Sequence, residues 1–119
     1  MELKDKVVVI TGGSGGIGRA MAEAFLQEGA TGIMLADLDA EAVAQAATDI
    51  GCDGMACDVT DETQVAALVD ATEAKYGRVD VFCSNAGAGG SGLRTDAPNE
   101  VWQHQWELHG TSHLYAARA

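Results

Sequence analysis

Residues 6–18 read KVVVITGGSGGIG, a continuous apolar run followed by five glycines within eight residues. An apolar run without alternation suits a strand covered on both faces, as in a parallel sheet. The passage into glycine suits a tight turn, because glycine tolerates positive φ and lets a ligand reach bare backbone. From Gly16 the spacing becomes helical, with Ile17, Ala20, Met21, Ala24 and Phe25 on one face and Gly29 as a stop. A helix starting there aims free N–H groups and its positive dipole end at the turn, which favours a phosphate.

Outward from this stretch the same alternation repeats. Thr31–Ala36 reads as a second strand and Leu38–Ile50 as a helix with Val43, Ala46, Ala47 and Ile50 inward. A short strand is expected around Met55–Cys57. Thr60 is the expected N-cap of a helix carrying Val65, Leu68, Val69 and Thr72 and ending near Gly77. Val79–Ser84 reads as a fourth strand, the loop NAGAGGSG follows, and a helix starts at Pro98 and runs to the terminus. Strands alternating with helices of this length predict an α/β fold: a doubly wound parallel sheet, four strands β1–β4 with flanking helices. No composition shift divides the chain, so residues 1–119 are expected to form one domain.

The 119 residues carry a net charge of −11, which speaks against nucleic acid because phosphate contacts need clustered Lys and Arg. No apolar stretch approaches the roughly 20 residues that span a bilayer, and MELKDK lacks a signal-peptide core, so no membrane partner and a cytoplasmic location are expected. Three cysteines without a CxxC pair speak against both a disulfide framework and a cysteine-built metal site. His109 and His113 have i, i+4 spacing, but Gly110 stands where a zinc protease motif has glutamate, so no metal is expected. Trp102 and Trp106, also i, i+4, are expected to pack in the core or an interface.

The glycines alone fit three patterns: GxGxxG through Gly13, Gly15 and Gly18; TGxxGxxG through Gly12, Gly15 and Gly18; and TGxxxGxG through Gly12, Gly16 and Gly18. Other positions narrow the reading. Asp37 ends the second strand, where a carboxylate can accept both ribose hydroxyls of an adenosine or cap the next helix. Asp58-Val59 ends the third strand and Ser84-Asn85-Ala86-Gly87 the fourth. All lie at carboxyl ends of strands, where open α/β sheets bind ligands.

TGGSGGIG, ADLD, CDVTD and SNAG, in that order, resemble the short-chain dehydrogenase/reductase family. SNAG is similar to the family's NNAG, with Ser84 for the first Asn, and DV to its adenine-ring motif. The resemblance covers essentially the whole chain and selects TGxxxGxG. It implies a Rossmann-type fold and a nicotinamide dinucleotide held by Gly12, Ser14, Gly15, Gly16, Ile17, Gly18, Asp37, Leu38, Asp58, Val59, Asn85, Ala86 and Gly87. NAD is the expected cofactor. Asp37 would repel the extra phosphate of NADP, and Gly15 and Leu38 occupy the positions where NADP-preferring relatives often carry a base.

The family transfers hydride between the nicotinamide and a small-molecule carbonyl or alcohol, using Tyr-x-x-x-Lys and an upstream Ser. This sequence has no YxxxK: Tyr76 is followed four residues on by Asp80, and Tyr115 by Ala119. TSHLYAARA is similar to the middle of the family's fifth helix, so the expectation is a dinucleotide-binding portion truncated within that helix and inactive alone. The resemblance implies a homo-oligomer for the full-length form. His109 falls where the family commonly has an Asn that holds a proton-relay water, a role set against that of an ordinary helix histidine. Two competing readings are a non-catalytic dinucleotide-binding module and a methyltransferase-type domain; the NAG loop and the Thr before the glycines speak against the latter.

Overall fold

The computed structural model describes residues 2–87 and 96–119. Strand β1 (Val7–Thr11) is fully buried and sits inside a four-stranded parallel sheet of order β3-β2-β1-β4. It is followed by α1 (Gly16–Gln27), β2 (Gly32–Asp37), α2 (Ala40–Ile50), β3 (Asp53–Ala56), α3 (Glu62–Tyr76) and β4 (Val81–Cys83). Helices α4 (Asn99–Trp106) and α5 (Ser112–Arg118) are joined by a π-helical turn, Glu107–Thr111. The expected doubly wound α/β architecture is therefore present. The chain adds strands on one side of β1, then crosses to the other, so the crevice above the β1/β4 boundary is a topological switch point.

Successive residues of the strands point to opposite faces, and each face has its own core. Val8, Ile10, Ile33 and Leu35 pack with Ala22 of α1 and Val43, Ala46 and Ala47 of α2. Val9, Met34 and Ala36 pack with Cys57, Val59, Val65 and Leu68, and Leu108 and Tyr115 close over them. Fully burying such aliphatic side chains stabilises the fold by about 1.5–3 kcal/mol each.

Several boundaries differ from those expected. β3 begins at Asp53 because its parallel register with β2 runs from Met34↔Asp53 to Asp37↔Ala56. The N-cap of α3 is Asp61, whose Oδ1 accepts from the amides of Thr63 and Gln64. Thr60 is already engaged: its amide and hydroxyl both donate to Asp58 Oδ1. Likewise the cap of α2 is Asp39, not Asp37. In α1 the inward residues are Gly18 and Ala22 with Met21, Phe25 and Leu26 behind them, while Ile17, Ala20 and Ala24 are exposed. The helix docks through small residues, so its closest face is not its most apolar one. Trp106 is 68% exposed and Trp102 44%, so neither is a core residue. Of the glycine-rich loop, residues 88–92 lie outside the described residues.

Asp80 pins β4 to β1. Its amide donates to the Val7 carbonyl, and its Oδ2 accepts from the Val7 amide at 2.9 Å and from Arg78 Nε at 2.7 Å. The Val7 amide first, and then the Arg78 guanidinium, hold the Asp80 carboxyl below the usual carboxylate range. A depressed folded pKa stabilises the fold above the unfolded value, ~3.9, and that contribution is lost as pH falls through the folded one. Asp80→Asn should therefore flatten the acid side of the stability profile. Urea midpoints at pH 7 and pH 3 check this, and an unchanged slope would refute it.

Candidate functional site

The turn after β1 is built by hydrogen bonds that the sequence pattern leaves implicit. Gly12 has φ +68°, and the Gly13 amide donates to the Ala36 carbonyl at 3.0 Å, which ties the turn to β2. A Cβ on Gly18 would collide with the Gly12 carbonyl oxygen and lie 2.9 Å from Gly13 Cα. Glycine at 18 is thus needed for α1 to approach the turn. Gly16 is different: a Cβ there would meet nothing within 4 Å.

Gly16 is also one wall of a cavity of about 440 Å³, within the range of small-molecule sites. It is lined by the turn (Gly12, Gly15, Gly16, Ile17, Gly18), by the end of β2 (Ala36, Asp37, Leu38) and by Cys57, Asp58, Val59 and Thr60 after β3. Asn85, Ala86 and Gly87 after β4, and His104 and Leu108 from the last helical segment, complete it. All but two of the residues expected from the sequence therefore meet around one cavity.

The first exception, Ser14, is off the lining but bonded to it: its amide donates to Asp37 Oδ2 at 3.1 Å, and its hydroxyl donates to the same oxygen. Asp37 Oδ1 accepts from the Leu38 amide at 2.8 Å. These bonds fix the carboxylate at the rim, beside Leu38 and Ile17, which are 72% and 71% exposed. Two large apolar side chains left in solvent at a cavity mouth suit an apolar or aromatic ligand surface. The second exception, His109, is off the lining but close to it: a Cβ on Gly87 would lie 2.8 Å from its Cε1. His113, one turn on, shares a 2.5 Å hydrogen bond with Ser84 through Nδ1. Among the described residues no group of three or more His, Cys, Asp or Glu could hold a metal ion.

Thr11 joins the two sides of the crevice. It is buried; its Oγ1 donates to the Cys83 carbonyl and accepts from the amides of Asn85 and Ala86 at 3.0 and 3.1 Å. Thr11→Val keeps the shape and strands two partly buried donors, at about 1–3 kcal/mol per donor left unsatisfied. A fall of roughly 2 kcal/mol in unfolding free energy is expected by urea titration. Wild-type stability in that variant would mean the loop is held elsewhere.

Five lining residues fall outside the site expected from sequence: Ala36, Cys57, Thr60, His104 and Leu108. Cys57 is buried, and burial first, then Asp58 and Asp61, push its thiol up to about 11. It is a neutral wall at physiological pH, not a thiolate nucleophile. Thr60 lines the cavity beside its Asp58 partner. His104 has no local signal, because nothing near it indicates that α4 reaches over the strand ends. The only cation of α1, Arg19, is turned to α2, where it pairs with Asp49 at 2.6 Å.

A family model described as short chain dehydrogenase matches residues 6–119. The chain is 41% identical over 97 residues to (-)-isopiperitenol/(-)-carveol dehydrogenase, mitochondrial, of Mentha piperita, covering 79% of this chain and 37% of that protein. It is 37% identical to a hexahydro-indene-carboxyl-CoA reductase of Mycobacterium tuberculosis, covering 98% of this chain and 47% of that protein. Among solved structures, a short chain dehydrogenase from Mycobacterium smegmatis superimposes with TM-score 0.92 at 33% identity, over 98% of this chain and 51% of that one. NAD+-bound xylitol dehydrogenase gives 0.87 at 29% identity, over 100% and 48%. The chain thus spans less than half the length of these two curated relatives.

Proposed function

The chain belongs to the short-chain dehydrogenase family, and from that premise we propose that it is the dinucleotide-binding portion of an NAD-dependent oxidoreductase acting on a small carbonyl or alcohol compound. The observation that carries the cofactor reading is the Asp37 carboxylate, held at the cavity rim by Ser14 and the Leu38 amide.

The residues fit a dinucleotide. Gly16 lines the cavity and carries no side chain, so a diphosphate can approach the first turn of α1, whose N–H groups and dipole favour it. Asp37 would accept from the ribose hydroxyls of the adenosine and repel a phosphate placed there. Leu38, Ile17 and Val59 offer apolar contact to the base, with Asp58 beside them, and Asn85, Ala86 and Gly87 face the other end. The cofactor supplies the hydride donor or acceptor. His109, against Gly87, would hold a water in the proton path through a ring nitrogen. The tyrosine and lysine that the family uses as acid–base pair are not among these 119 residues. Turnover therefore belongs to the longer protein in this proposal, as do a homo-oligomeric state and a cytoplasmic location. Among the described residues no helix is long and apolar enough to cross a membrane.

Titration of the purified protein with NADH and with S-adenosylmethionine tests the reading. Saturable NADH binding without S-adenosylmethionine binding is expected, and the reverse would replace the proposal with a methyltransferase-type site. Tight NADH binding by a full-length protein that turns over no carbonyl or alcohol would favour the non-catalytic module.

A further inference from the structure

We infer that His104 is a specificity-determining contact for the adenosine half of the dinucleotide, its imidazole ring lying against the base. This rests on the dinucleotide reading of the cavity. The cavity runs across the strand ends, from Asp58 and Val59 beyond β3 to Asn85 and Gly87 beyond β4. The last helical segment meets this region with two faces. His109 stands against Gly87, so that face serves the β4 end. Leu108 packs in the apolar cluster under the cavity floor, which takes in Cys57, Val59 and Val65 as well as Phe82 and Ala86. His104 lies four residues before Leu108, hence one turn along the same face, and it too lines the cavity. That face looks onto the cavity that Asp37, Leu38, Asp58 and Val59 also line, where the adenosine half would lie.

The chemistry favours a ring contact over a charge contact. On its other side His104 borders a second open hollow lined by Asn99, Glu100, Gln103 and Glu107. With Glu100 on α4 and Glu107 opening the π-helical turn, this wall is unfavourable to a diphosphate, and it leaves the flat imidazole as what α4 offers a ligand. Together with exposed Leu38 and Ile17, it gives a purine two kinds of surface to lie between.

The test uses dissociation constants of wild type, His104→Ala and His104→Phe for NADH, AMP and nicotinamide mononucleotide. His104 is exposed, so neither variant should disturb folding, which a circular dichroism melt verifies. His104→Ala is expected to weaken AMP and NADH by about five- to a hundredfold, the range for loss of an aromatic surface under a base, and to leave nicotinamide mononucleotide unchanged. His104→Phe is expected to restore most of the loss. Wild-type AMP affinity in His104→Ala, or an equal loss for AMP and nicotinamide mononucleotide, would overturn the inference alone. A wild-type protein that binds no NADH would overturn the dinucleotide reading as well.

Discussion

Asp37→Ala is expected to weaken NADH binding by about ten- to a hundredfold while strengthening NADPH binding, so that the preference between them collapses. The first effect is the loss of hydrogen bonds from ribose hydroxyls to a charged acceptor, about 1.5–3 kcal/mol. The second is relief of like-charge repulsion, which is strong because Ser14 and the Leu38 amide prevent the carboxylate from swinging away. Leu38→Arg added to Asp37→Ala should carry the preference over to NADPH, since it places a guanidinium at the exposed rim. Competition titrations of NADH against NADPH read all three proteins. Unchanged relative affinity in Asp37→Ala would reduce Asp37 to a brace for Ser14.

The second large effect separates two glycines that look alike in sequence. Gly18→Ala adds a methyl that collides with the Gly12 carbonyl. The gain in helix propensity, about 1 kcal/mol, is outweighed by an overpacking cost of about 1–3 kcal/mol, and α1 is pushed off the turn. Both stability and NADH affinity should fall. Gly16→Ala should leave stability unchanged or raise it by up to about 1 kcal/mol, because its Cβ meets no protein atom. Gly16 lines the cavity at the first turn of α1, so a methyl there should cost NADH affinity at least ~10-fold through loss of close diphosphate approach. Urea denaturation paired with NADH titration distinguishes the cases. Full binding by Gly16→Ala would show that no ligand group comes near this turn.

Much of the fold is legible in the chain. KVVVIT and TGIMLA announce buried parallel strands by their lack of alternation, and both are central in the sheet. The glycine turn, Asp37, Asp58 and SNAG fall at strand ends and converge because parallel strands put all their carboxyl ends on one edge. Where the reading failed, tertiary geometry outweighed local pattern. Ile17 and Ala20 have the right spacing for a core face, yet Gly18 and Ala22 are what lets α1 come close to the sheet. Thr60 has the right chemistry for a cap, but Asp58 engages it first and Asp61 takes the role. His104 carried no signal at all, since its place in the site depends on where a helix some 90 residues downstream of the turn passes over it.

The most direct test is the pair of dissociation constants of the wild-type protein for NADH and NADPH, measured side by side at one ionic strength. At least ~10-fold tighter binding of NADH is predicted, the difference set by the fixed Asp37 carboxylate. Equal affinity, or tighter binding of NADPH, would contradict the account.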